Sequence, residues 1–103
     1  DGGSFAAPGE VTSAFHYYKK AAFFGEECGS GYYGNTSGFM VTATLPATGL
    51  RVRVPLVLYT MAVDGYPKGR GLVPDFPVEP TIEDLMAGRD VVMARALDYL
   101  KER

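Results

Sequence analysis

The sequence holds a single cysteine, Cys28, and a single histidine, His16. One cysteine closes no intrachain disulfide, which excludes a disulfide scaffold. One histidine and one cysteine do not furnish a zinc site, so no metal centre is expected, and no motif calls for a cofactor. No apolar run approaches the ~18 residues of a membrane-spanning helix, and no signal-peptide pattern is present. The ten lysines and arginines are scattered among twelve acidic residues without forming a basic stripe. Nucleic acid is therefore not an expected partner. Internal repeats and low-complexity segments are also lacking.

What is present is ordinary globular material. Hydrophobic residues make up 47% and charged residues 21% of 103 positions, enough for one small domain or part of a larger one. The chain begins at Asp1 without a methionine, and an earlier part of the protein is expected to precede it.

The stretch Gly3-Ser4-Phe5-Ala6-Ala7-Pro8-Gly9-Glu10 has the make-up of a turn from a strand end into a helix. Residues 1–7 read as the strand end. Pro8 suits the start of a helix, where its missing N–H costs nothing. Val11, Ala14, Phe15 and Tyr18 follow at i, i+3, i+4 and i+7, the expected buried stripe of a helix ending near Lys19-Lys20. Residues 21–24 are apolar and predict a buried strand parallel to the one before the helix, completing a βαβ unit.

Residues 25–38 form a loop with glycines at 25, 29, 31, 34 and 38. A loop of this length inside a small domain is more often functional or mobile than idle. Residues 41–45 and 51–54 alternate with period two and predict a hairpin, turned by residues 46–49. The second strand is expected to run past Pro55 through Tyr59. Residues 62–80 are rich in proline and glycine and read as an extended surface crossing. Thr81 is the expected N-cap of a short helix through Ala87, closed by Gly88. Asp90 caps a last helix, 91–102, whose buried face is Val92, Met93, Ala96, Leu97 and Leu100.

A strand-to-helix turn suits nucleophilic catalysis. It lifts one side chain to the helix N-terminus, where free N–H groups stabilise a developing oxyanion. The bland alternative is a plain turn with small residues for close packing. Gly2, Gly3, Ala6, Ala7 and Gly9 fit both readings. Five segments in order carry a resemblance. They are Gly-Gly-Ser-Phe-Ala-Ala-Pro-Gly-Glu before the helix, Phe24-Gly25-Glu26-Glu27 after it, and Thr-Leu-Pro-Ala-Thr-Gly at 44–49. Arg70-Gly71-Leu72-Val73-Pro74-Asp75 follows, then Pro80-Thr81-Ile82-Glu83-Asp84-Leu85 with Gly88-Arg89-Asp90. Together they resemble the C-terminal part of the catalytic domain of tail-specific (C-terminal processing) serine peptidases.

The resemblance implies an α/β fold of the ClpP/crotonase-like type, with residues 1–103 as the C-terminal portion of the peptidase domain. It also implies a peptide or protein substrate, a partner in the remainder of that domain, and a periplasmic or cell-envelope location in a bacterium. In that family the serine at the position of Ala6 is the nucleophile, and the backbone N–H of Ala7 is an oxyanion donor. Gly3, Ser4, Gly29, Gly31 and Tyr32 are the expected substrate-binding residues. A methyl group attacks no carbonyl, so the chain as written is not expected to hydrolyse peptides through residue 6. Ala6 is either a replaced nucleophile or the mark of a non-catalytic relative. Many members use a lysine some two dozen residues later as base, but no lysine lies between Lys20 and Lys68. A related branch uses a histidine from earlier in the chain, oriented by a carboxylate for which Asp64 and Asp75 are candidates. His16 itself reads as a surface or partly packed residue. Glu26 is expected to fix the loop through backbone hydrogen bonds. Tyr32 and Tyr33 either line a peptide groove or anchor the loop by packing.

Overall fold

The computed structural model describes residues 1–102. Helix α1 spans Ala7–Tyr17, followed by strands β1 (Phe24–Gly25), β2 (Gly34–Asn35), β3 (Met40–Thr44), β4 (Arg51–Pro55), β5 (Tyr59–Thr60) and β6 (Phe76–Pro77). Helices α2 (Ile82–Met86) and α3 (Val91–Lys101) close the described chain. The architecture is a mixed α/β arrangement in which the strands form three two-stranded sheets.

The expected strand ahead of α1 is not formed, since residues 1–6 are turn and coil. The Asp1 carboxylate accepts hydrogen bonds from Gly3 N (3.1 Å) and Ser4 Oγ (2.9 Å), and Ser4 N donates to Asp1 O (2.9 Å). Such a side-chain-closed turn competes directly with extended pairing. The parallel partner of β1 is instead β6, in the register Phe24 with Phe76 and Gly25 with Pro77. The hairpin β3–β4 forms as expected, with Val41 opposite Val54 and Ala43 opposite Val52. Strand β4 ends at Pro55, and one more cross-strand bond follows, Leu56 N donating to Phe39 O at 3.0 Å. Tyr59 and Thr60 pair back onto β2 rather than prolonging β4.

The burial of α1 is inverted relative to its apolar stripe. Val11, Phe15 and Tyr18 are 53%, 50% and 62% exposed, whereas Gly9 and Ser13 are buried and His16 is half-buried. Positions 9, 13 and 16 share one helix face. This face is small enough for the loop's short side chains to approach closely: a Cβ on Gly9 would lie 2.5 Å from Ser30 Cβ. The loop carrying Cys28, Ser30 and Tyr32 packs there, and with Leu72 it makes the buried core. Residues 62–80 run largely at the surface, as expected, but they also deliver Tyr66 and Leu72 to that core. A second cluster holds α3. Phe24 and Phe76 stack at 4.7 Å, Tyr99 meets both rings, and the Arg95 guanidinium sits 5.3 Å over Phe76. The expected inner face of α3 is only partly covered, with Val92 and Ala96 half-buried and Met93, Leu97 and Leu100 exposed.

The chain is extended, with a radius of gyration of 17.9 Å against about 13 Å for a compact domain of this length. Its 7501 Å² of accessible surface exceeds the ~5,700 Å² expected of a folded monomer of this mass by about a third. Much of the excess is apolar and lies on the hairpin, on the outer stripe of α1 and on α3.

Helix α2 starts on a reciprocal cap, in which Asp84 N donates to Thr81 Oγ1 while Thr81 N donates to the Asp84 carboxylate. That backbone bond, with help from Arg89, lowers the Asp84 carboxyl from 3.8 to about 2. A lowered carboxyl contributes stability that is present above the unfolded value and lost as pH falls through the folded one. We therefore expect the first turn of α2 to loosen between about pH 4 and pH 2. In an NMR titration the Thr81 and Asp84 amide shifts should move together, with a midpoint near 2. A midpoint near 4 would mean that the cap does not form.

Candidate active site

The residue entering α1 is held in a conformation that side chains rarely adopt. Ala6 has φ 51° and ψ −115°, and no side chain caps the helix it begins. A non-glycine residue at such angles costs about 1–3 kcal/mol and persists only where its surroundings over-determine it. Here they do. On one side Cys28 Sγ donates to Ser4 O at 3.0 Å, tying the glycine loop to the chain before the elbow. A Cβ on Gly29 would lie 2.2 Å from Gly2 O and 2.8 Å from the Phe5 ring, so the loop backbone touches the turn directly. On the other side Ser30 presses on Gly9 in the first turn of the helix. Glu10, in that same turn, accepts a 2.9 Å hydrogen bond from Asn35 Nδ2 at β2.

The elbow thus presents one side-chain position at a helix N-terminus. Glu10 N donates to Ala6 O at 3.0 Å, beginning the helical ladder. Ala7, the first helical residue and exposed, carries one of the N–H groups that no carbonyl inside a helix can satisfy. Pro8 in the first turn has no N–H to leave unpaired. An oxygen atom on the Ala6 side chain would stand beside a free donor and the positive end of the helix dipole.

The other expected site residues divide into two sets. Ser4 and Gly29 meet at the elbow, through Cys28 and the Gly2–Phe5 turn, whereas Gly3 is held by Asp1. The Ser4 hydroxyl is committed to Asp1 Oδ1. Gly31, one residue past the Ser30 contact, lines a groove of about 320 Å³ with Gly29, Gly34, Gly69 and Arg70. Tyr32 is only 2% exposed and its ring packs in the core, while the residue also lines that groove, so both alternatives describe part of its surroundings. It stacks on Tyr66 at 4.0 Å, and its hydroxyl meets His16 Nδ1 at 2.8 Å and donates to Ser13 O at 3.4 Å. Burial is the main reason its phenol pKa is raised. His16 lies ten residues after Ala6, about 15 Å along the helix, and its ring nitrogen is engaged by Tyr32. Asp75 accepts from Phe23 N, and Asp64 lies by the C-terminal end of α1. None of these three stands at the elbow as a base or as its orienter. Among the described residues no cluster of ligand side chains holds a metal ion, and no helix is long and apolar enough to cross a membrane.

One fixing residue was placed one position off in the sequence. Glu27, not Glu26, clamps the loop. It accepts from Arg70 Nε (3.2 Å), Arg70 Nη2 (2.8 Å) and Gly71 N (3.0 Å). The hydrogen bond with Arg70 holds its carboxyl below the usual range. Glu26 is exposed. Adjacent acidic residues carry no signal for which one turns inward. Tyr66 had no sequence signal at all, although its hydroxyl accepts from Val73 N and its ring backs Tyr32.

The contact at Gly29 gives a direct test of the elbow's support. Gly29→Ala should displace the Gly2–Phe5 turn at a cost of about 1–3 kcal/mol, because a carbonyl oxygen and a ring occupy the space. Gly38→Ala, where the added methyl meets nothing within 4 Å, is the control. Amide hydrogen exchange at Ala6 and Ala7 should accelerate only in the first variant. Unchanged exchange there would show that the loop does not brace the elbow.

No protein-family model, no curated protein and no solved structure matches this chain.

Proposed function

We propose that residues 1–103 are the C-terminal segment of a serine-type endopeptidase domain of the tail-specific, ClpP/crotonase-like kind. The observation that carries this reading is the backbone of Ala6, a strained residue at an uncapped helix N-terminus with the glycine loop pressed against it. Strain of this kind concentrates at sites where one side chain must be thrust toward a substrate. With serine at residue 6, its oxygen attacks the scissile carbonyl carbon and the Ala7 N–H steadies the resulting oxyanion. The C–N bond then breaks. The amine leaves with the proton the base took from the hydroxyl, and water hydrolyses the ester that remains. The base comes from another part of the domain, since His16, Asp64 and Asp75 are engaged or placed elsewhere.

The remainder of the domain is the partner that would cover the apolar hairpin and the outer stripe of α1. The substrate is an extended peptide passing over the elbow and the glycine groove, and the location is the periplasm or cell envelope of a bacterium. A second reading has its own support in the alanine methyl at residue 6, which makes the chain a non-catalytic, peptide-binding relative. Ala6→Ser, challenged with a serine-reactive phosphonate, separates the two. Covalent labelling at residue 6 supports the peptidase, and peptide binding without labelling supports the relative.

A further inference from the structure

At the end of α1 away from the elbow lies a cleft of about 370 Å³, within the size range of small-ligand sites. Its lining includes His16, Tyr17 and Tyr66, with Asp64 and Asp75 beside them and Lys19 also among the lining residues. The His16 ring meets the Tyr66 ring edge-on at 5.4 Å, and Tyr66 is fixed from behind by its stack on Tyr32. Tyr17 is partly exposed, and the nearby Asp64 charge is the main reason its phenol pKa is raised. Neither Asp64 nor Asp75 makes an ion pair among the described residues. Asp75 accepts from Phe23 N and Asp64 is hydrogen-bonded with the Tyr17 hydroxyl, so each carboxylate has a neutral partner and neither is paired with a cation among the described residues.

We propose that this cleft is a binding site for the cationic end of a lysine or arginine side chain on a peptide ligand. Aromatic faces attract a cation through their quadrupoles, and the attraction grows where water is partly excluded. Asp64, which makes no ion pair among the described residues although Lys19 lines the same cleft, supplies the complementary charge. The His16 and Tyr66 walls rest on the core through Tyr32, so that side of the site is formed before the ligand arrives. Lys19 marks the native competitor. It sits in the left-handed region at φ 51° just past α1, with no ion pair to hold it out of the cleft among the described residues. The cleft stands about 15 Å along the helix from residue 6 and does not depend on the peptidase reading.

The test titrates the full chain with Nα-acetyl-lysine methylamide, with the norleucine analogue as neutral isostere, and with n-butylammonium as free cation. NMR shifts of the His16, Tyr17 and Tyr66 rings are the readout. Saturable shifts are expected with the lysine compound, none with norleucine, and weaker ones with butylammonium. Asp64→Asn should weaken lysine binding about tenfold, the factor of ~1.4 kcal/mol, and Lys19→Ala should strengthen it. Both positions are exposed, so neither change is expected to unfold the chain. Equal shifts with norleucine, or unchanged affinity in Asp64→Asn, would overturn the proposal. Butylammonium binding as tightly as the lysine compound would overturn its assignment to a peptide side chain. Each outcome is read without the elbow, so the peptidase reading stands or falls separately.

Discussion

Ala6→Ser is expected to turn a chemically inert elbow into one that forms a covalent bond. A serine peptidase stripped of its nucleophile loses on the order of 10⁶ in kcat. Restoring the hydroxyl beside a competent base should therefore recover several orders of magnitude in cleavage of an unfolded protein substrate. The expectation rests on backbone geometry rather than on composition. The residue is already held at φ 51° and ψ −115°, and the helix beginning at Ala7 has no side-chain cap to block an oxyanion. Serine adds one oxygen to the existing Cβ, so the turn need not move. The measurement is intact-protein mass after phosphonate treatment, together with turnover in the full-length protein, where the base is present. A mass increase mapped to residue 6, absent in the Ala6 form, is the expected result. If the serine variant binds peptide and is neither labelled nor active with its full domain, the peptidase reading fails.

Tyr32→Ala is expected to have the largest effect on stability. Tyr32 is one of three buried hydrophobic residues among the described residues, with Cys28 and Leu72. Truncating a buried aromatic costs about 3–5 kcal/mol, a large part of the ~5–15 kcal/mol that holds a typical domain together. Its ring bridges His16 on α1, the loop partner Tyr33 and Tyr66 on the return segment, so three parts of the chain lose a shared neighbour. Its hydroxyl also leaves His16 Nδ1 and Ser13 O without their partner. Tyr32→Phe separates the two contributions. It keeps the stack and should cost about 1 kcal/mol, the net worth of an ordinary hydrogen bond. Tyr18→Ala, at an exposed position, should stay within about 0.5 kcal/mol. Urea unfolding followed by circular dichroism ranks the three. Tyr32→Ala and Tyr18→Ala with the same midpoint would show that the aromatic core does not hold the fold.

Sequence pattern was sufficient wherever local chemistry decides structure. The hairpin followed from strict alternation and a proline-threonine-glycine turn. The caps at Thr81 and Asp90 followed from short polar side chains ahead of apolar periodicity, and both accept the expected backbone N–H. The start of α1 was equally local, since it needs only small residues and a proline.

Pairing and burial were not legible, because they depend on residues far apart in the chain. The parallel partner of Phe24 is Phe76, fifty-two positions away, and no local period encodes that choice. The stripe of Val11, Phe15 and Tyr18 marks a face that is apolar, but which face is covered depends on what packs there. Gly9 and Ser13 admit the loop side chains of Cys28, Ser30 and Tyr32, and larger residues there would not. By itself the sequence determined that residue 6 stands at the entry to a helix and that its side chain ends in a methyl. Only the tertiary structure decided the angles of that residue, because its strain is held by Cys28, Gly29 and Ser30, contacts that exist only once the loop has folded back onto the helix.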